Sequence, residues 1–135
     1  MRPGSGLAAV GVVLVGLSGC SAAGPPSITL RTAHHSVTAP ASRWCGGDGS
    51  CVSYHPAVAV LAASGRTDIT IDVGSTVGKR PWIVLVEGGS ASGLQRGRTL
   101  KLVAVRPGVT VEVVTVDTDG TRVLQRDRWV VKVAP

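Results

Sequence analysis

Cys45, Cys51 and His55 stand close together in the chain, and their side chains offer two competing chemistries. An even pair of cysteines in an oxidising compartment forms a disulfide as the simple outcome. The residues between them, Gly46-Gly47-Asp48-Gly49-Ser50, include three glycines that tolerate a tight path. In the loop-entropy view, closing so short a loop stabilises the fold by about 2 to 2.5 kcal/mol. The alternative is a metal or small-ligand site using Cys45, Cys51 and His55, joined by His34 or His35, which are soft ligands suited to zinc or copper. Against it, Cys-x5-Cys-x3-His matches no standard zinc knuckle. An adjacent pair such as His34-His35, if placed on a strand, would also point to opposite faces. The three histidines read as exposed polar residues. Catalysis finds no support: there is no Gly-x-Ser-x-Gly elbow, no Cys-x-x-Cys at a helix start, and no two carboxylates that single themselves out as a pair. Asp117-Thr118-Asp119-Gly120 lacks the spaced ligands of a calcium loop and reads as a hairpin turn between Val116 and Thr121. The expectation is therefore no enzyme, no metal and no cofactor.

A third cysteine, Cys20, belongs to different chemistry. Met1 to Gly6 makes a short, weakly positive start through Arg2 and the amino terminus, and Leu7 to Leu17 follows as an apolar run of eleven residues. That is the length of a secretory signal rather than of a bilayer-spanning helix, which needs about 17 to 25 apolar residues. The run ends in Leu17-Ser18-Gly19-Cys20, which resembles the bacterial lipobox. In that motif small residues fit the lipoprotein signal peptidase and the Cys sulfur carries diacylglycerol. The organisation expected is a signal peptide over residues 1–19, a lipidated Cys20 with a linker over residues 20–27, and one domain over residues 28–135. Two or three acyl chains, with each buried methylene contributing about 0.8 kcal/mol, would hold such a chain on the membrane stably. The small, Pro-interrupted linker would keep the domain within about 20 to 25 Å of the headgroups.

The body that must position these residues alternates with a period of two. Ile28/Leu30, Ile69/Ile71/Val73, Trp82/Val84/Val86, Leu100/Leu102/Ala104, Val109/Val111/Val113 and Trp129/Val131/Val133 each face away from polar neighbours. Val and Thr favour the pleated backbone. Ala57 to Ala63 reads as a buried strand or one helical turn, with strand favoured, and no segment sustains helical periodicity. Turn residues fall between the runs, at Ser64-Gly65, Gly74 to Pro81, Pro107-Gly108 and Asp119-Gly120. The pattern predicts an all-β fold, an immunoglobulin-like antiparallel β-sandwich of about seven to eight strands. Trp82 and Trp129 are its expected core anchors. The Gly/Ser-rich stretch 88–97 reads as a mobile loop joining strands, either a binding loop or a connector.

In their order, several features resemble those of a family of small actinobacterial lipoproteins of unknown function. They are the lipobox Cys20, Ser27-Ile28-Thr29-Leu30, the paired Cys45 and Cys51, Pro81-Trp82 leading into Ile83-Val84-Leu85-Val86, Val109 to Val113, and the closing Trp129 to Val133. The resemblance covers essentially the whole chain after the leader. It implies an anchored, β-rich envelope protein and carries over no catalytic residue.

Charge narrows the partners. The chain holds Lys+Arg 14 against Asp+Glu 8, with four aromatic side chains in all. Nucleic acid calls for clustered bases interleaved with stacking aromatics, and this chain offers neither. Arg31, Arg66, Arg96, Arg106 and Arg122 read as solvated loop charges or as contacts to an anionic envelope polymer. The function expected is a non-catalytic binding or accessory module, lipid-anchored on the extracytoplasmic side of the cell membrane. Its partners would be the membrane itself, through the anchor, and an envelope protein or anionic polymer.

Overall fold

The computed structural model describes residues 24–135; the expected leader over residues 1–19 and the expected lipidation at Cys20 lie outside the described residues. Eleven strands and one short helix follow in order: β1 Ile28–Arg31, β2 Ser36–Ala39, β3 Ala41–Cys45, β4 Cys51–Ser53, β5 Ala59–Ala62, β6 Thr67–Asp72, α1 Gly74–Gly78, β7 Trp82–Val86, β8 Gly89–Ser90, β9 Thr99–Val105, β10 Thr110–Asp119 and β11 Arg122–Ala134. They form a four-stranded sheet, β2-β1-β6-β9, and a seven-stranded sheet in which six strands run in the order β4-β3-β11-β10-β7-β8 and β5, the seventh, pairs with β11 off that path. The all-β sandwich expected from the alternation is the architecture found. The strands outnumber the expectation because β2, β3, β4 and β8 are two to five residues long, too short for a period-two pattern to stand out in the sequence. One pairing is parallel: β5 runs alongside the last residues of β11, from Val131↔Ala59 to Ala134↔Ala62.

The core is the inward half of the period-two pattern. Ile28, Leu30, Ile69 and Ile71 from the smaller sheet meet Trp82, Val84, Val111, Val113, Trp129, Val131 and Val133 from the larger, all essentially without solvent contact. Burying such side chains stabilises the fold by roughly 1.5 to 3 kcal/mol each. Trp82 and Trp129 are the largest of them, and each satisfies its indole N–H. Trp82 Nε1 donates to the Gly97 carbonyl and Trp129 Nε1 to the Pro26 carbonyl, both at 2.9 Å.

Two local departures from alternation have physical causes. Ala104 adopts φ 54°, and its N–H donates to Asp68 Oδ1. The ladder to β6 shifts there, so that Val105 rather than Ala104 is buried. On β10, the ladder to β11 shifts between Val114 and Val116, and the run Val113 to Val116 is buried throughout. Pro40 separates β2 from β3, where the chain passes from one sheet to the other.

The registers define two ends. Thr29 pairs with Asp72, and Asp72 with Thr99, so the start of β1, α1 and the start of β9 share the end where the N-terminal segment joins. The end of β1, the start of β6 and the end of β9 lie at the opposite, distal end.

Candidate functional site

Cys45 and Cys51 are directly opposite in the β3–β4 ladder and form a disulfide, with Cα atoms 3.9 Å apart. The glycine-bearing loop between them is fixed by Gly46 N–H to Ser50 O and by Ser50 donating twice to Asp48 Oδ1. The Ser50 hydroxyl is the main reason the Asp48 carboxyl is held below the ordinary range. With their sulfurs bonded to each other, the two cysteines have no thiolate to offer a metal, so the Cys45/Cys51/His55 alternative requires the reduced pair. His55 is exposed on the β4–β5 connection. His34 and His35 are not on a strand: Thr32 Oγ1 accepts from both of their backbone N–H groups and ties them into the β1–β2 turn.

Stretch 88–97 does not hang free as a loop. β8 pairs with the end of β7, Ala91 N–H donates to Val84 O, and Val84 N–H donates to Ser92 Oγ. Gln95 and Trp82 exchange both backbone hydrogen bonds at 2.7 and 3.0 Å. The small residues let this segment lie against the edge of β7, whose backbone groups would otherwise be bare.

A buried polar cluster escaped the sequence reading. Asp127 is fully buried and receives the Cys45 N–H (2.8 Å), Arg80 Nη1 (2.8 Å) and the Thr115 hydroxyl (2.7 Å); its own N–H donates to Thr115 Oγ1. The Arg80 guanidinium stacks over Trp44, 5.2 Å from the ring centroid, and Trp44 meets Trp129 edge to face. One carboxylate thus joins the disulfide hairpin, the turn after α1 and both long strands. With both carboxylate oxygens engaged and no solvent contact, Asp127 ties these elements together. The one signal in the sequence was a Thr in an otherwise apolar run, Val113 to Val116.

The arrangement best suited to a ligand lies on the outer face of the smaller sheet, at its distal end. The ladders place Ser36, Arg31, Thr70 and Lys101 side by side in one row across all four strands. Thr38, Thr29, Asp72 and Thr99 form the next row. Arg31, Thr32, Arg66, Thr67, Asp68, Thr70 and Lys101 line an open groove of about 590 Å³ here. Of its charges, Asp68 is engaged by Lys101 Nζ at 3.5 Å and by the Ala104 N–H. Those contacts, led by the Ala104 hydrogen bond, lower its carboxyl below the usual value. For Asp72 in the next row, partial burial pushes upward but is outweighed by the Gly74 N–H, by Arg98 and by the more distant charge of Arg31, so it too is lowered. Arg31 and Arg66 make no ion pair among the described residues. The groove therefore presents guanidinium and hydroxyl donors with its acids already neutralised, which is chemistry for phosphate, sulfate or carboxylate oxygens.

Compared with known proteins, the chain matches no family model, no curated protein and no solved structure. Among the described residues, no helix is long and apolar enough to cross a membrane.

Proposed function

We propose that this chain is a lipid-anchored lipoprotein on the extracytoplasmic side of the cell membrane, a non-catalytic module that holds an anionic envelope polymer. Two things support the anchor: the Leu17-Ser18-Gly19-Cys20 tetrad behind an apolar leader, and the ordered resemblance to small actinobacterial lipoproteins. The binding role is carried by one observation, the alignment of Arg31, Thr70 and Lys101 across the sheet with Arg66 beside them. A groove open along its length and rich in short hydroxyls suits a repeating chain of anionic groups better than an enclosed small molecule. The contacts are charge-assisted and solvent-exposed, so affinity would fall steeply as salt screens them.

The test is titration of the protein with two probes, an oligomer of glycerol phosphate and oligogalacturonate. Binding of either, weakened at least roughly tenfold by Arg31→Glu with Arg66→Glu, is the expected result. Equal affinity of the unaltered and charge-reversed proteins would remove the groove from the account.

A further inference from the structure

We propose that the end of the sandwich where the N-terminal segment joins rests directly on an anionic lipid bilayer, with Leu94 and the aliphatic side chains of the β10–β11 overhang lying in the headgroup layer. The proposal rests on the lipid-anchor reading for its biological setting, but the surface itself is built from the folded domain. Three observations converge on this end.

The first is where the chain arrives. Pro26 is held by Trp129 Nε1, two residues before β1 begins, at the end shared with α1 and the start of β9. Cys20 precedes Pro26 by so few residues that the connecting chain spans at most about 20 Å. Any membrane holding Cys20 is close to this end.

The second is shape and hydropathy. β10 runs past Thr115, its last pairing to β7, and continues with β11 through Asp119↔Arg122. At about 3.3 Å per residue, the overhang reaches roughly 13 Å beyond the sheet. It carries Val123 and Leu124, 62% and 38% exposed, and Leu94, 55% exposed, lines the same groove as Leu124 and Arg96. Val123 and Leu124 stand on the shaft of the overhang, opposite Thr118 and Asp117, behind a polar turn at Gly120-Thr121; exposed aliphatic side chains flanked by polar residues in this way suit the headgroup region of a bilayer.

The third is charge. Arg80, Arg98 and Arg126 at this end are tied to Asp127, Asp72 and Asp117. Lys79, Arg96 and Arg122 make no ion pair among the described residues, and Asp119 is the acid beside them on the hairpin. Unpaired cations flanking exposed aliphatic side chains are the combination that anionic lipid attracts. Docked in this way, the protein would direct the Arg31/Arg66 groove away from the membrane, toward the envelope.

An environment-sensitive fluorescent amino acid in place of Leu94, Leu124 or Val103 tests the geometry in the full chain; Val103 is 72% exposed on β9 and lies toward the distal end. The variants are mixed with vesicles of phosphatidylcholine, with or without phosphatidylglycerol. The expected result is a blue shift and quenching by lipid-borne quencher at 94 and 124 but not at 103. Binding should be roughly tenfold stronger with phosphatidylglycerol and should lose that gain in Lys79→Glu/Arg96→Glu/Arg122→Glu. The proposal is overturned if 94 and 124 stay in water on phosphatidylglycerol vesicles, if 103 shifts equally, or if the probes bury only on adding an envelope protein. The mass of the N-terminal peptide from the same sample separates the two ideas. Acylated Cys20 with probes in water rejects the docking alone, and unmodified Cys20 with buried probes rejects the anchor alone.

Discussion

Asp127 takes three donors from three different elements and has no contact with water. Replacing it by Ala would leave the Cys45 N–H and the Thr115 hydroxyl without partners in the interior. The expected cost is about 3 kcal/mol of unfolding free energy, read as a lower denaturant midpoint. A change under 1 kcal/mol would mean that the cluster is incidental. The disulfide is a separate contribution. Cys45→Ser with Cys51→Ser should lower stability by about 2 kcal/mol, and thiol titration of the denatured, non-reduced protein should find neither cysteine free. Two free thiols would return the metal reading to contention. Asp72 gives the pH dependence. Its folded value is depressed, so its stabilisation is present above the unfolded carboxylate value, near about 3.9, and is lost as pH falls through the folded one. The stability gap between the natural protein and Asp72→Asn should therefore be present at neutral pH and vanish in strong acid. At this scale the sequence was half legible. Spacing and the expected oxidising compartment paired Cys45 with Cys51, whereas the partners of Asp127 come from positions far apart in the chain, which no local pattern connects.

Among the elements, α1 and stretch 88–97 depend on each other through a glycine. A Cβ on Gly78 would sit 2.8 Å from the Gly97 carbonyl oxygen, and Gly97 is itself held by Gly78 O and Trp82 Nε1. Because the obstacle is backbone, Gly78→Ala should destabilise by about 1 to 3 kcal/mol and loosen residues 91–97, seen as faster amide exchange there than in β10. Uniform exchange would contradict that coupling. The long strands were readable because their buried faces repeat every second residue, as in Val109 to Val113 and Trp129 to Val133. β2 through β4 were not. Their fully buried positions are few and small, Ala39, Ala41 and Cys45, with Val37 and Trp44 only partly buried against the core, so sheet pairing more than local hydrophobic pattern determines them. The same limit hid the β8 pairing, since Gly89 and Ser90 carry no strand preference of their own.

For the whole molecule, the two ends carry different surfaces among the described residues: exposed aliphatic side chains and cations without an ion pair where the N-terminal segment joins, and a hydroxyl-lined cationic groove at the other. Net charge and the expected leader suggested an anionic envelope setting. The groove was not legible, because Arg31, Arg66 and Lys101 are scattered in sequence and only the β1–β6–β9 registers align them. Both surfaces have meaning for an anchored protein only if Cys20 becomes the lipid-bearing first residue. The most direct measurement is the intact mass of the protein extracted from the membranes of cells that make it. The expected mass begins at Cys20 and exceeds that of the cleaved polypeptide by diacylglycerol, with or without a further acyl chain. A mass equal to that of the uncleaved translation product, or to the cleaved chain with a bare thiol at Cys20, would contradict the account.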